Sequence, residues 1–169
     1  MPSPFWIPTD TPGRLAILAR PRGGDWLQSD TTEWKHAGLH TVVSLIGEDE
    51  EADLELSDES VECTRAGLEF IAAPLMDRGL PDDPIAFGDL AGELAAKVVS
   101  GESVGIHCRL GIGRSPLLAI AVLIALGVPA SEAIRRASVA RGRPVPETSE
   151  QLEWISRFEA PTPAAVRTQ

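Results

Sequence analysis

The sequence predicts an α/β fold: one domain, with a central, mostly parallel sheet flanked by helices. Three observations carry this. Short β-branched runs alternate with longer segments of helical periodicity. The chain has 169 residues, which suits one hydrophobic core. No internal repeat or second composition block divides it.

The elements follow in order. Met1 to Pro12 is proline-rich and predicts an extended arm. Leu15 to Ala19 is a short apolar run, expected as an edge strand. Thr31 to Ala37 predicts a helix with a hydroxyl cap. His40 to Ile46, "HTVVSLI", is a β-branched strand. Glu69 to Leu75, "EFIAAPL", is another, and "MDRGLPDDP" after it has turn chemistry. Proline is tolerated in a first helical turn, so a helix should begin near Pro84 and run through Ala86 to Val99. Val104 to His107 is a strand, Gly111 to Ser115 a loop and Pro116 to Leu126 an apolar helix. Pro129 to Ala140 is a further helix with Ser131 as candidate cap, and Thr148 to Phe158 the last. Ala160 to Gln169 reads as a frayed tail.

Composition narrows the function. Apolar residues make up 43% and charged residues 24%, which argues against wholesale disorder. The net charge of -10 is a poor footprint for nucleic acid or an anionic membrane, which reward lysine and arginine. The apolar stretch Leu117 to Val128 is too short to span a bilayer. No basic region followed by an apolar run opens the chain, so no secretory leader is expected. Nine acids and no base lie between Glu48 and Glu62. They fit a solvated face, or else a docking surface for a basic partner. The only cysteines are Cys63 and Cys108. That number indicates no disulfide framework and points to a reducing, cytoplasmic compartment.

The informative segment is "VGIHCRLGIGRSPLLAIAVL", Val104 to Leu123. A strand feeds a loop, and the loop feeds a helix. Gly111 and Gly113 allow a tight turn and close approach to a ligand. Pro116 fits a first helical turn, so unpaired N–H groups and the helix dipole converge on the loop. That makes an anion site. Cys108 opens the loop and Arg114 closes it, with five residues between. A free thiol ionises near pH 8.5, and helix N-termini and cations lower this to about 3.5–7.5. His107, Arg114 and the loop amides are the expected contributors. Arg114 offers a planar fork for phosphoryl oxygens. Ser115 can donate a hydrogen bond to the sulfur.

"HCRLGIGRS" resembles the active-site signature of the cysteine-based protein tyrosine and dual-specificity phosphatases, His-Cys, five residues, then Arg-Ser or Arg-Thr. The resemblance spans about Ala16 to Phe158 and implies a single phosphatase domain with a core of about residues 14–159. It implies a phosphocysteine intermediate at Cys108. It also implies phosphate binding by the amides of Arg109, Leu110, Gly111, Ile112, Gly113 and Arg114. The compact length is similar to the dual-specificity type. This leaves phosphotyrosine, phosphoserine and phosphothreonine open, with a phosphorylated protein or peptide as the partner.

Ester cleavage needs a proton donor. Asp77, Asp82 and Asp83 lie on the loop Pro74 to Pro84. Asp77 directly follows a strand, where active-site loops of parallel sheets gather, and is the favoured acid. Asp82 and Asp83 fit a helix cap. Gln151 matches a glutamine that some relatives use to orient water; a surface position on an amphipathic helix fits it as well. Arg141 and Arg143 suit a helix C-terminus. By the same resemblance, Arg143 could bind a second anion on the substrate. The histidines His36, His40 and His107 do not fall into a metal spacing, so no cofactor is expected. Competing readings are an inositol-phosphate or lipid phosphatase, a non-catalytic phospho-binding module, and a sulfur-transfer or arsenate-reducing enzyme.

Overall fold

A computed structural model describes residues 2–158 and 160. In chain order, β1 (Phe5–Ile7) and β2 (Leu15–Leu18) lead through a 3-10 turn to α1 (Leu27–His36). Next come β3 (Thr41–Ser44), α2 (Glu48–Asp53), α3 (Glu59–Arg65) and β4 (Glu69–Ala72). Then α4 (Pro84–Val99), β5 (Val104–His107), α5 (Arg114–Ala125), α6 (Ala130–Arg141) and α7 (Ser149–Arg157) complete the chain. The sheet runs β1-β2-β5-β3-β4, all parallel except β1. β5 is therefore the central strand, and its register sets Ser44 of β3 and Leu18 of β2 level with His107.

Both sheet faces are covered, as a parallel sheet requires. On one, Trp34 of α1 and Cys63 of α3 pack with Ala16, Leu18 and Val42. On the other, Ile17, Val43 and Ile106 meet α4, α5 and α6. Helix α5 is buried from Arg114 through Leu123. It is a core helix, apolar all round. Truncating one of its leucines to alanine would cost roughly 2–5 kcal/mol. A side chain at Gly105 would run into Leu18, with a Cβ 2.5 Å from its nearest methyl. The missing Cβ there lets neighbouring strands and their loops sit close.

Several expectations are corrected. Leu15–Leu18 is not an edge, because Phe5–Ile7 of the expected arm pairs antiparallel outside it. Three apolar residues between Pro4 and Pro8 are too short a run to register as a strand. Helix α1 starts at Leu27, and Thr31 is buried within it, its hydroxyl donating to the Gln28 carbonyl. Ser131 does not cap α6; Pro129 precedes the helix and its carbonyl accepts from the Ala133 N–H. Asp83 caps α4 by accepting from the Ala86 N–H at 3.0 Å. The acidic stretch forms two short helices, α2 and α3. The expected tail, apart from Ala160, lies outside the described residues.

Candidate active site

The site lies where the C-terminal ends of β3, β4 and β5 converge, the usual place for function in an open parallel sheet. Cys108 follows β5 directly and is buried, 3% exposed. The chain then curls from Arg109 to Gly113 and enters α5 at Arg114. Gly111 has φ +71°, a left-handed conformation that favours glycine. Its N–H donates to the Cys108 Sγ at 3.3 Å. Ser115 Oγ lies 3.2 Å from the same sulfur on the other side. The thiol thus sits between a loop N–H and a serine hydroxyl, next to a helix N-terminus. Arg109 and Leu110 stand exposed on the rim, Ile112 is half-buried and Gly113 is buried.

Arg114 is the most connected side chain of the site. It is 1% exposed. Its two terminal nitrogens hold both oxygens of Glu50, at 2.6 and 3.0 Å. Nη1 also donates to the Leu75 carbonyl at 3.0 Å and the Leu45 carbonyl at 3.3 Å. Nη2 lies 3.3 Å from Asp77 Oδ1. The end-on face of the guanidinium is thereby spent on Glu50. The edge left for an anion is the Nε–H side, together with the Nη2 hydrogen now turned to Asp77. Burial pushes the Arg114 pKa down, but the Glu50 hydrogen bonds and the Cys108, Glu50 and Asp77 charges outweigh it, and the net direction is up. The Arg114 hydrogen bonds hold the Glu50 carboxyl below its ordinary value; burial opposes this, and the Arg114 charge, the Gly47 N–H and Arg109 reinforce it.

The loop that carries Asp77 faces the same pocket. Met76 to Gly79 makes a tight turn, with Gly79 N–H donating to the Met76 carbonyl. Asp77 is well exposed on it and reaches Arg114. Gln151 is fully buried, which removes the surface reading. Its side chain accepts from the Thr148 N–H and donates to the Gly79 carbonyl at 3.3 Å. A Cβ on Gly113 would lie 3.3 Å from its amide nitrogen, so Gln151 packs directly on the loop. Arg78, beside Asp77, pairs with Glu147 at 3.2 Å.

Arg143 is exposed just beyond α6. Arg141 serves the loop. It donates to the Gly111 and Leu110 carbonyls at 3.0 and 3.2 Å and stacks over Phe5. His107 does not face the sulfur. Its ring is fully buried, with Nδ1 3.3 Å from the Cys108 carbonyl and Nε2 2.5 Å from Glu59. Glu50, Glu59 and Arg141 are the residues that sequence reasoning missed as parts of this site. Cys63 lies on the opposite sheet face, and burial first, then Glu59 and Glu62, push its thiol up to about 12. Among the described residues no group of three or more His, Cys, Asp or Glu could hold a metal, and no helix is long and apolar enough to cross a membrane.

No family model matches the chain. Solved structures do match. Kinase-associated phosphatase, with serine in place of its catalytic-site cysteine, superposes with a TM-score of 0.83 at 22% identity, over 92% of each chain. The active form of Tk-PTP gives 0.73 at 25% identity, covering 93% of this chain and 99% of that one. PTPMT1 in complex with PI(5)P gives 0.71 at 23%, over 91% and 94%. The chain thus has the fold of the protein tyrosine and dual-specificity phosphatases, and its single α/β domain spans nearly the whole of each of these structures.

Proposed function

We propose that this protein is a cysteine-dependent phosphatase that hydrolyses phosphate monoesters, with protein phosphotyrosine as its principal substrate class and phosphoserine or phosphothreonine as further ones. The observation that carries the reading is the placement of Cys108. Its sulfur lies 3.3 Å from a loop N–H and 3.2 Å from Ser115 Oγ, in a loop closed by Arg114, with Asp77 3.3 Å from that arginine. A thiol, an anion cradle and a carboxyl therefore share one pocket.

In the first step the Cys108 thiolate attacks phosphorus, and the bond to the ester oxygen breaks. Asp77 gives its proton to that oxygen. The loop amides and the Nε edge of Arg114 hold the equatorial oxygens, whose charge is spread in the transition state. In the second step water attacks the phosphocysteine, and Asp77, now a carboxylate, takes the water's proton. The P–S bond breaks, and Ser115 donates a hydrogen bond to the departing thiolate. Gln151, packed on Gly113 and tied to the acid loop, orients the water. The chemistry uses no metal and suits a reducing, cytoplasmic setting.

A second reading is an inositol-phosphate or lipid phosphatase. It is favoured by Arg109 and Arg78, which stand exposed on the loop and on the facing turn, where a second phosphate could meet them. PTPMT1, with the same fold, has been solved with PI(5)P. The test is hydrolysis of para-nitrophenyl phosphate by wild type and Cys108→Ser, followed by phosphotyrosine peptides and phosphoinositides compared by kcat/KM. Substantial turnover by Cys108→Ser would refute the mechanism. A preference for phosphoinositides would select the second reading.

A further inference from the structure

We infer that Glu59 is a positioning residue for the nucleophile, acting through His107. This deepens the phosphatase reading and rests on it. Glu59 comes from the first residue of α3, far from Cys108 in sequence, yet its side chain is 1% exposed. Its Oε1 lies 2.5 Å from His107 Nε2. The other ring nitrogen, Nδ1, faces the Cys108 carbonyl at 3.3 Å. A carbonyl can only accept, so Nδ1 carries a proton, and Glu59 fixes the ring from behind. Trp34 packs against the imidazole with ring centroids 5.8 Å apart, which restricts the remaining rotation.

Glu59 Oε2 is buried without a hydrogen-bond partner among the described residues, which adds a cost to keeping the pair. Its surroundings do not help: Glu51 of α2 and Cys63 of α3 also face Glu59, and neither supplies a positive charge. What the pair does achieve is geometric. The Cys108 carbonyl belongs to the first peptide of the phosphate loop. Anchoring it fixes where Sγ stands relative to the Gly111 N–H and Ser115 Oγ. A shift of about 1 Å at a reacting atom can cost on the order of 10²-fold in rate.

Two variants separate position from charge. Glu59→Gln keeps the length and can donate to Nε2, so Nδ1–H still reaches the Cys108 carbonyl. Glu59→Asp keeps the charge but withdraws it by one methylene. Position predicts that Glu59→Gln retains kcat on para-nitrophenyl phosphate within about threefold. Glu59→Asp should lose about 10- to 100-fold in kcat with KM nearly unchanged, because substrate binding rests on the amides and Arg114. A loss of tenfold or more in Glu59→Gln overturns the inference, and so does an unimpaired, folded Glu59→Asp. Should Glu59→Asp fail to fold, the Gln variant alone decides, by the same threefold and tenfold limits. A wild type without turnover would sink the phosphatase reading; an active wild type with an indifferent Glu59 would sink only this one.

Discussion

Replacing Glu50 by alanine tests how Arg114, the proposed anion clamp, is held. Glu50 accepts two hydrogen bonds from Arg114, at 2.6 and 3.0 Å, and its backbone helix begins one turn away, where the Gly47 N–H donates to the same carboxylate. Breaking a fully buried ion pair costs about 3–5 kcal/mol, because a charge is left behind. Here the cost is smaller. Glu50 is 19% exposed, and Arg114 keeps Asp77 and two carbonyls. We expect about 2–3 kcal/mol for Glu50→Ala and about 1–2 kcal/mol for Glu50→Gln, which retains an acceptor. For a chain of this size 1 kcal/mol moves Tm by roughly 2–4 °C, so Glu50→Ala should melt about 4–12 °C lower. The pH dependence has a definite sign. The folded Glu50 carboxyl lies below its unfolded value, so its contribution is complete above about pH 4.3 and fades as pH falls through the folded pKa. The Tm gap between wild type and Glu50→Gln should be full at pH 7 and narrow below about pH 4. Turnover should fall on the order of 10²-fold in Glu50→Ala, because the Nε edge loses its aim. Thermal melts across pH and steady-state kinetics read both. Wild-type Tm and kcat in Glu50→Ala, or a gap that widens in acid, would refute the reasoning.

Asp77→Asn should slow phosphotyrosine peptides by about 10²–10⁴ and esters of acidic phenols far less. The same defect in Asp82→Asn or Asp83→Asn instead would move the acid along the loop. Arg141→Ala removes two hydrogen bonds to loop carbonyls and should weaken tungstate inhibition about tenfold, equivalent to about 1.4 kcal/mol, with no loss of fold; unchanged inhibition would show that the loop holds itself. Cys63, with its thiol pushed up to about 12, should resist iodoacetamide at neutral pH, so mass spectrometry should find one label per chain, absent in Cys108→Ser. Two labels would contradict its burial.

The loop of the candidate site was legible because it is contiguous. Cys108, the glycines, Arg114 and Ser115 fall within one strand-loop-helix segment, and local rules suffice to place a helix N-terminus there. The strand Val104–His107 matches its expected bounds for the same reason. Glu50 and Glu59 were not legible. Each lies in an acidic run that periodicity reads as a solvated face, and what turns them inward is the parallel register that sets β3 beside β5. No local pattern encodes that register. The choice between Arg141 and Arg143 depends on where α6 ends: Gly142 takes φ +79°, the chain turns, and only Arg141 remains on the helix side that faces the loop. Gln151 needed the same kind of knowledge. Its burial comes from the packing of α7 on α5, not from the amphipathic pattern of α7 itself.

A chain of net charge -10 is an unpromising binder of a dianion, and the proposed site meets this conflict locally. Charge at long range is screened within about 8 Å at physiological ionic strength, so exposed acids elsewhere count for little at the pocket. The close terms are N–H dipoles about the Cys108 sulfur and one guanidinium removed from solvent. The acids nearest the site are themselves committed. Glu50 is bound to Arg114, Glu147 to Arg78 and Glu59 to His107. Each of these carboxylates positions a donor rather than facing the pocket. The local excess of acid thus supports the proposed anion site through its neighbours, and truncating any one of these three side chains should disturb the geometry of the pocket more than its net charge.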